Sequence, residues 1–137
     1  MRKVSIDYTL AAARAFASLP NSPKPFRFIL TSGFLTLAPN ASGWIYPTVR
    51  KVGGEAEVAI LDFAKQMEGF EAFVTRPASV RKGGRGVMEW VVPSIGVGEL
   101  GACMLDLAVW GGEKSVWENR ALRDRGRELL KIEGDAK

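Results

Sequence analysis

The chain contains no histidine and a single cysteine, Cys103. The commonest general base at neutral pH and the commonest metal ligand are therefore missing, and no metal centre of the zinc type is expected. One thiol excludes an internal disulfide. Cys103 stands in an apolar helical pattern and reads as a buried, inert side chain. Such sparing use of cysteine fits a reducing compartment, and a cytoplasmic location is expected. Long apolar runs are lacking as well: none approaches the roughly 20 residues of a membrane span. Met1-Arg2-Lys3-Val4 carries two positive charges, but Asp7 and Arg14 break the stretch that follows. Neither a signal peptide nor a membrane partner is expected. Nor is the charge strongly one-sided, with 19 lysines and arginines against 15 acidic residues. The basic residues gather only at 81–85 and 120–127, and the second group alternates with Asp124 and Glu128 like a solvated helix face. That distribution predicts no nucleic-acid partner.

What is present is the balance of an ordinary folded domain. A length of 137 residues, 47% hydrophobic and 25% charged, suits one domain over 1–137. It is organised around residues 26–77. Phe26-Arg27-Phe28-Ile29-Leu30-Thr31-Ser32 is a short apolar run of the kind buried in a parallel sheet. Glu71-Ala72-Phe73-Val74-Thr75-Arg76-Pro77 is a second, closed by its proline. Between them Val52, Ala56, Ala59, Ile60, Phe63 and Met67 recur on one helical face. Strand, helix and strand of these lengths predict a right-handed crossover. The expected fold class is α/β: a truncated Rossmann-like, three-layer fold with a partial, mainly parallel sheet flanked by helices.

The flanking segments fit this plan. A helix is predicted over 5–19, with Ser5 as its N-cap. Ile6, Leu10, Ala13 and Ala17 mark one apolar face, and Tyr8, Ala11, Ala12, Ala15 and Phe16 make much of the remainder apolar. Such a helix is expected to be covered on two sides. Pro20, Pro23 and Pro25 end it. A long loop leaves the carboxyl end of the first strand, where open α/β sheets bind ligands. Trp44 and Tyr46 lie in it, either as ligand contacts or as anchors that pack it down. The next helix is predicted from 48 to a cap at Gly69, with Gly53 and Gly54 weakening its first turns. Arg81-Lys82-Gly83-Gly84-Arg85-Gly86 reads as a solvent turn, because no helix follows to supply the dipole of a phosphate loop. A last strand is predicted over 87–93 and a helix over 99–110, with Leu100, Cys103, Met104 and Leu107 on one face. Ser115-Val116-Trp117-Glu118 has capping-box spacing. It opens a final helix to 132, apolar at Leu122, Leu129 and Leu130, and residues 133–137 are expected to fray.

Five segments, in this order, point further. They are Val4-Ser5-Ile6-Asp7-Tyr8-Thr9-Leu10-Ala11-Ala12-Ala13, then Arg27-Phe28-Ile29-Leu30-Thr31-Ser32-Gly33, then Gly54-Glu55-Ala56-Glu57 with Leu61-Asp62-Phe63-Ala64, then Thr75-Arg76-Pro77-Ala78-Ser79-Val80, and last Gly98-Glu99-Leu100-Gly101-Ala102. The chain resembles the short-chain dehydrogenase/reductase superfamily over 4–126, most of all its atypical, epimerase-like members common in fungi. By that resemblance the segments stand for the helix before the catalytic strand, the strand that delivers the catalytic serine, the helix carrying the active-site lysine, the Arg-Pro-Gly strand end and a late helix.

The resemblance implies catalytic roles for Ser32 and Tyr46, with Arg50 or Lys51 as the electrostatic helper of the tyrosine. Two departures qualify it. The family places lysine four residues after the tyrosine. Here that position holds Arg50, which keeps the charge but not the geometry. Setting Lys51 in register would put Pro47 where the tyrosine belongs. In addition, the family begins with a strand, a Gly-x-x-Gly-x-x-Gly turn and a helix that hold a nicotinamide cofactor. The chain has no such motif and looks like the carboxyl-terminal half of a family member, so no cofactor is expected.

Three functions are compatible with these residues. The first is a cofactor-independent isomerase, cyclase or lyase acting on a hydrophobic small molecule, as in fungal secondary metabolism. Acid–base catalysis by tyrosine needs no nicotinamide, and Phe34, Trp44, Met88 and Trp90 suit an apolar, substrate-binding pocket. The second is an NAD(P)-dependent oxidoreductase fragment or subunit completed by another chain. The third is a non-catalytic interaction protein that keeps only the fold. A sheet without its central strands leaves the edge at 26–32 unpaired. Together with the apolar first helix, this predicts an obligate oligomer, most simply a homodimer.

Overall fold

A computed structural model describes residues 3–19, 23–33, 47–82 and 93–135, and of 47–50 and 132–135 the backbone alone. The chain opens with a π-helical turn, Lys3–Asp7, that runs into α1, Tyr8–Ala17. Then come β1, Phe26–Thr31, α2, Pro47–Gln66, and β2, Phe70–Arg76. β3, Ser79–Arg81, β4, Ser94–Gly96, α3, Val97–Trp110, β5, Val116–Glu118, and α4, Asn119–Asp135, follow. Among the described residues no helix is long and apolar enough to cross a membrane.

β1, β2 and β5 form one sheet in that order, with both pairings parallel. Phe26 stands opposite Phe70 and Thr31 opposite Thr75, while Val74 meets Val116 and Arg76 meets Glu118. Neighbouring parallel strands need a long connection, and α2 supplies it, as expected. β3 and β4 make a separate parallel pair beyond the carboxyl end of β2. Among the described residues the far side of β1 carries no strand.

Alternation along the strands sorts the apolar residues into two cores. Phe26, Phe28, Leu30, Phe70, Ala72, Val74 and Val116 gather with Ala13 of α1 and Ile60 and Phe63 of α2. Ile29, Phe73 and Trp117 turn the other way, onto Leu100, Cys103 and Leu107 of α3 and Leu122 of α4. Helices cover both sheet faces, which is why the longer strands read as nearly continuous apolar runs. The layers are those of a partial Rossmann-like fold.

Two sets of contacts fix the helices at the amino end of the sheet. On one face Phe16 stacks on Phe26 at 5.2 Å between ring centres, and Phe63 meets Phe70 edge to face at 5.3 Å. On the other, Arg27 pairs with Glu71 at 2.7 Å and donates to the carbonyls of Ala108 and Val109 at 3.4 and 2.6 Å. Carbonyls in the last turn of a helix have no partner within it, so the guanidinium caps α3. Gly111, at φ +77°, then turns the chain away.

Several local expectations are corrected. Ser5 lies inside the π-helical turn and caps nothing, and Asp7 precedes α1 without a side-chain cap. α2 ends at Gln66; Gly69, at φ +73°, belongs to the turn into β2, and Met67 is exposed beyond the helix. Ser115-Val116-Trp117-Glu118 is no capping box, because Val116–Glu118 is β5. The open side of β2 offers these residues a ladder, and tertiary pairing overrides the local capping signal. α3 begins two residues earlier than expected, at Val97, and α4 stays helical to Asp135. Leu130 is exposed. Ser79–Arg81 forms a strand because Ser94–Gly96 lies beside it. The strand predicted over 87–93 lies outside the described residues, apart from Pro93, which is not in a strand.

Candidate functional site

Open parallel sheets bind ligands at the carboxyl ends of their strands. There β1 delivers Thr31 and Ser32, β2 delivers Thr75 and Arg76, and β5 delivers Glu118. Ser32 extends the ladder one residue past β1, its N–H donating to the Thr75 carbonyl at 2.8 Å. The buried Thr75 hydroxyl donates to the Thr31 hydroxyl at 3.3 Å. Half-buried Ser32 and exposed Thr31 thus set two hydroxyls side by side in the chain at this rim.

Arg76 is held by two carboxylates. Its Nε donates to both oxygens of Glu57 at 3.1 and 3.2 Å, and its Nη2 pairs with the same carboxylate. Nη1 donates to Glu118 at 2.7 Å. Glu57 is only 3% exposed, and a carboxylate so buried requires a partner. The hydrogen bonds to Glu57 raise the Arg76 pKa above its already high ordinary value, against the opposing effect of burial. One positive and two negative charges leave this corner formally negative, a poor site for phosphate. Arg76 is therefore a clamp joining α2, β2 and β5. Asn119, also buried, accepts from the Ala78 N–H at 2.8 Å and steers the chain as it leaves β2. Nearby on β4, the Ser94 hydroxyl is buried and has no hydrogen-bond partner among the described residues.

α2 runs back along the sheet with Glu57 level with Arg76. Lys51 is six residues earlier, so it stands about 9 Å further out along the helix axis, beyond the carboxyl edge. It is half-buried. Arg50 lies in the same turn of α2, and its side chain is outside the described residues. Tyr46, Phe34, Trp44, Met88 and Trp90 also lie outside them. Of the residues singled out in the sequence, the structure brings Ser32 and Lys51 to the same end of the sheet.

Sequence reasoning missed Glu57 as the partner of Arg76, and Asn119 as the partner of Ala78. Little in the pattern pointed to Glu57. At about 100° per residue it stands roughly 60° past Ile60, outside the arc of Val52, Ala56 and Ile60, and its burial follows from its pairing with Arg76.

Two cavities open elsewhere. One of about 520 Å³ is lined by Leu61, Ala64, Lys65, Ala72, Phe73 and Ser115 among others, and one of about 370 Å³ by Arg27, Glu71, Trp110 and Glu113 among others. Both sit towards the amino end of β2, away from Ser32. On their rims Lys65 is paired to Asp62 and Glu71 to Arg27. Cys103 lies in neither; burial, assisted by the charge of Asp106, pushes its thiol up to about 11. Among the described residues no cluster of acidic, cysteine or histidine side chains is placed to hold a metal ion. Compared with protein-family models, curated proteins and solved structures, the chain matches none of them.

Proposed function

We propose that the chain is a cofactor-independent enzyme of the isomerase, cyclase or lyase type. It acts on a hydrophobic small molecule in the cytoplasm, on a scaffold like the carboxyl-terminal half of a short-chain dehydrogenase/reductase. The observation that carries this reading is the position of Ser32 at the carboxyl end of a parallel strand. The segment bearing Tyr46 follows it in sequence, and then the first turns of α2 bearing Arg50 and Lys51. In this reading Ser32 binds a substrate oxygen and Tyr46 gives or takes the proton. The cation of Arg50 or Lys51 favours the ionised tyrosine. A proton moves between substrate atoms and no electrons leave the substrate, so no nicotinamide is required. Phe34, Trp44, Met88 and Trp90 supply apolar walls. The negative corner around Arg76 agrees with an uncharged substrate.

The test is proton exchange in deuterated water with a panel of hydrophobic carbonyl compounds. The chain is expected to wash deuterium into an acidic C–H position, and Ser32→Ala and Tyr46→Phe are expected to lose that exchange while keeping the circular dichroism spectrum. Exchange at the same rate in all three proteins, or in none, removes the mechanism.

A second reading is favoured by the side of β1 that carries no strand among the described residues: an oxidoreductase subunit completed by another chain. Micromolar binding of NADH or NADPH to this chain, followed by tryptophan quenching, supports the second reading and counts against the first.

A further inference from the structure

We infer that the outer face of α3 is the twofold contact surface of a homodimer, independently of the reaction proposed above. α3 is apolar almost all round. Its charged residues are Glu99 and Asp106, and both are taken up by α4: Arg127 donates to Glu99 at 2.6 Å and Arg125 to Asp106 at 3.1 Å. The inward arc of Leu100, Cys103 and Leu107 fills the core. A surface helix normally places its polar residues on the opposite arc. Here that arc holds Val97, Gly98, Gly101, Leu105, Ala108 and Val109. Val97, Leu105 and Val109 are 55, 69 and 49% exposed. Beside Leu105 there is a hollow, because nothing lies within 4 Å of where a Cβ on Gly101 would stand.

The pattern of this face identifies its occupant. A charged partner would lose hydration on it without gaining a counter-charge, whereas a second copy of the same face brings no charge. One large–small pair also lets the face complement itself. Turned antiparallel about a twofold axis level with Cys103, Leu105 of one copy meets Gly101 of the other. Ala108 then meets Gly98, and Val97 meets Val109. Rows at four-residue spacing interdigitate in the commonest class of helix packing, and this reciprocity is what a twofold interface requires. The face offers a few hundred Å² per copy, near the floor of about 1,000 Å² in total for a specific pair. A dimer in the micromolar range is expected rather than an obligate one.

Sedimentation equilibrium across the micromolar range tests the proposal. The native chain is expected to show a reversible monomer–dimer equilibrium. Leu105→Lys, at an exposed side chain, should weaken it at least tenfold without lowering the melting temperature read at concentrations where the native chain is monomeric. Gly101→Leu should weaken it similarly by filling the hollow. The exchange variant Gly101→Leu/Leu105→Ala should recover most of the affinity, because knob and hollow trade places across the twofold. General stickiness of an apolar helix predicts no such recovery. A native chain that stays monomeric at hundreds of micromolar overturns the inference. So does a dimer indifferent to Leu105→Lys, or an exchange variant no tighter than Gly101→Leu alone.

Discussion

Glu57, buried in α2, takes the Nε of Arg76 between its two carboxylate oxygens at 3.1 and 3.2 Å. The covalent link between helix and strand runs through the turn at Gly69, at the amino end of β2. The ion pair closes the same unit at the carboxyl end, and Glu118 brings β5 into it. Removing the cation strands a carboxylate in the interior. Arg76→Met is therefore expected to cost about 3–5 kcal/mol, whereas the double replacement Glu57→Leu/Arg76→Met should recover most of it. Arg76→Lys should not restore the native value, since an ammonium does not match the fork geometry. Urea unfolding of the four proteins measures each outcome.

The packing of α3 on α4 has one intolerant position. A Cβ on Gly126 would lie 2.0 Å from the Glu99 carbonyl oxygen, a backbone atom that no rotamer change can move. Gly126→Ala is expected to lose at least about 1–3 kcal/mol, because the helices must separate. Gly101→Ala is the control. Its Cβ meets nothing within 4 Å, and it should gain up to about 1 kcal/mol from helix propensity. Opposite shifts in melting temperature, read at concentrations where the chain is monomeric, check the pair.

Cys103 gives the stability curve an alkaline limb. Burial holds the folded thiol protonated up to about 11, while the unfolded thiol ionises near 9.0. Between those values the folded state binds more protons than the unfolded state, so stability falls as pH rises through this window. Cys103→Val should flatten the limb. Alkylation of the native chain by iodoacetamide at neutral pH should be slow until the protein unfolds.

Glu99 acts in the opposite direction. Burial opposes its ionisation, but the hydrogen bonds from Arg127 and from the Gly96 N–H outweigh that, and its pKa lies below the ordinary carboxylate range. A depressed carboxylate contributes stability above its unfolded pKa and loses it as pH falls through the folded value. Part of the acid limb below about pH 4 is thus assigned to this residue. Glu99→Gln should flatten that part of the limb and lower the stability at neutral pH. Unfolding at a series of pH values separates the two effects.

Much of the scaffold was legible in the residues. Phe26 to Thr31 and Phe70 to Arg76 pair as the two runs implied, and Leu100, Cys103 and Leu107 turn inward together. The candidate site was legible only as places in the order. Ser32 marks the end of β1 and Lys51 the early turns of α2. The residue that organises the described part of that end is Arg76. Its partners are 19 and 42 positions away in the chain, and no local period connects such residues.

The sequence by itself determined the layers. Short apolar runs and helical repeats of apolar residues depend only on a few neighbouring peptides, and they dictate which elements must be covered and on how many sides. The tertiary structure decided what those periods leave open. Val116–Glu118 became a strand because β2 presented a free edge to three residues too short to show a period. Glu57 went inside because Arg76 reached it. The outer face of α3 stayed apolar and bare because its acids were drawn sideways onto α4. In each case a partner remote in the chain changed the energy of a local choice, and only folding brings such partners within range.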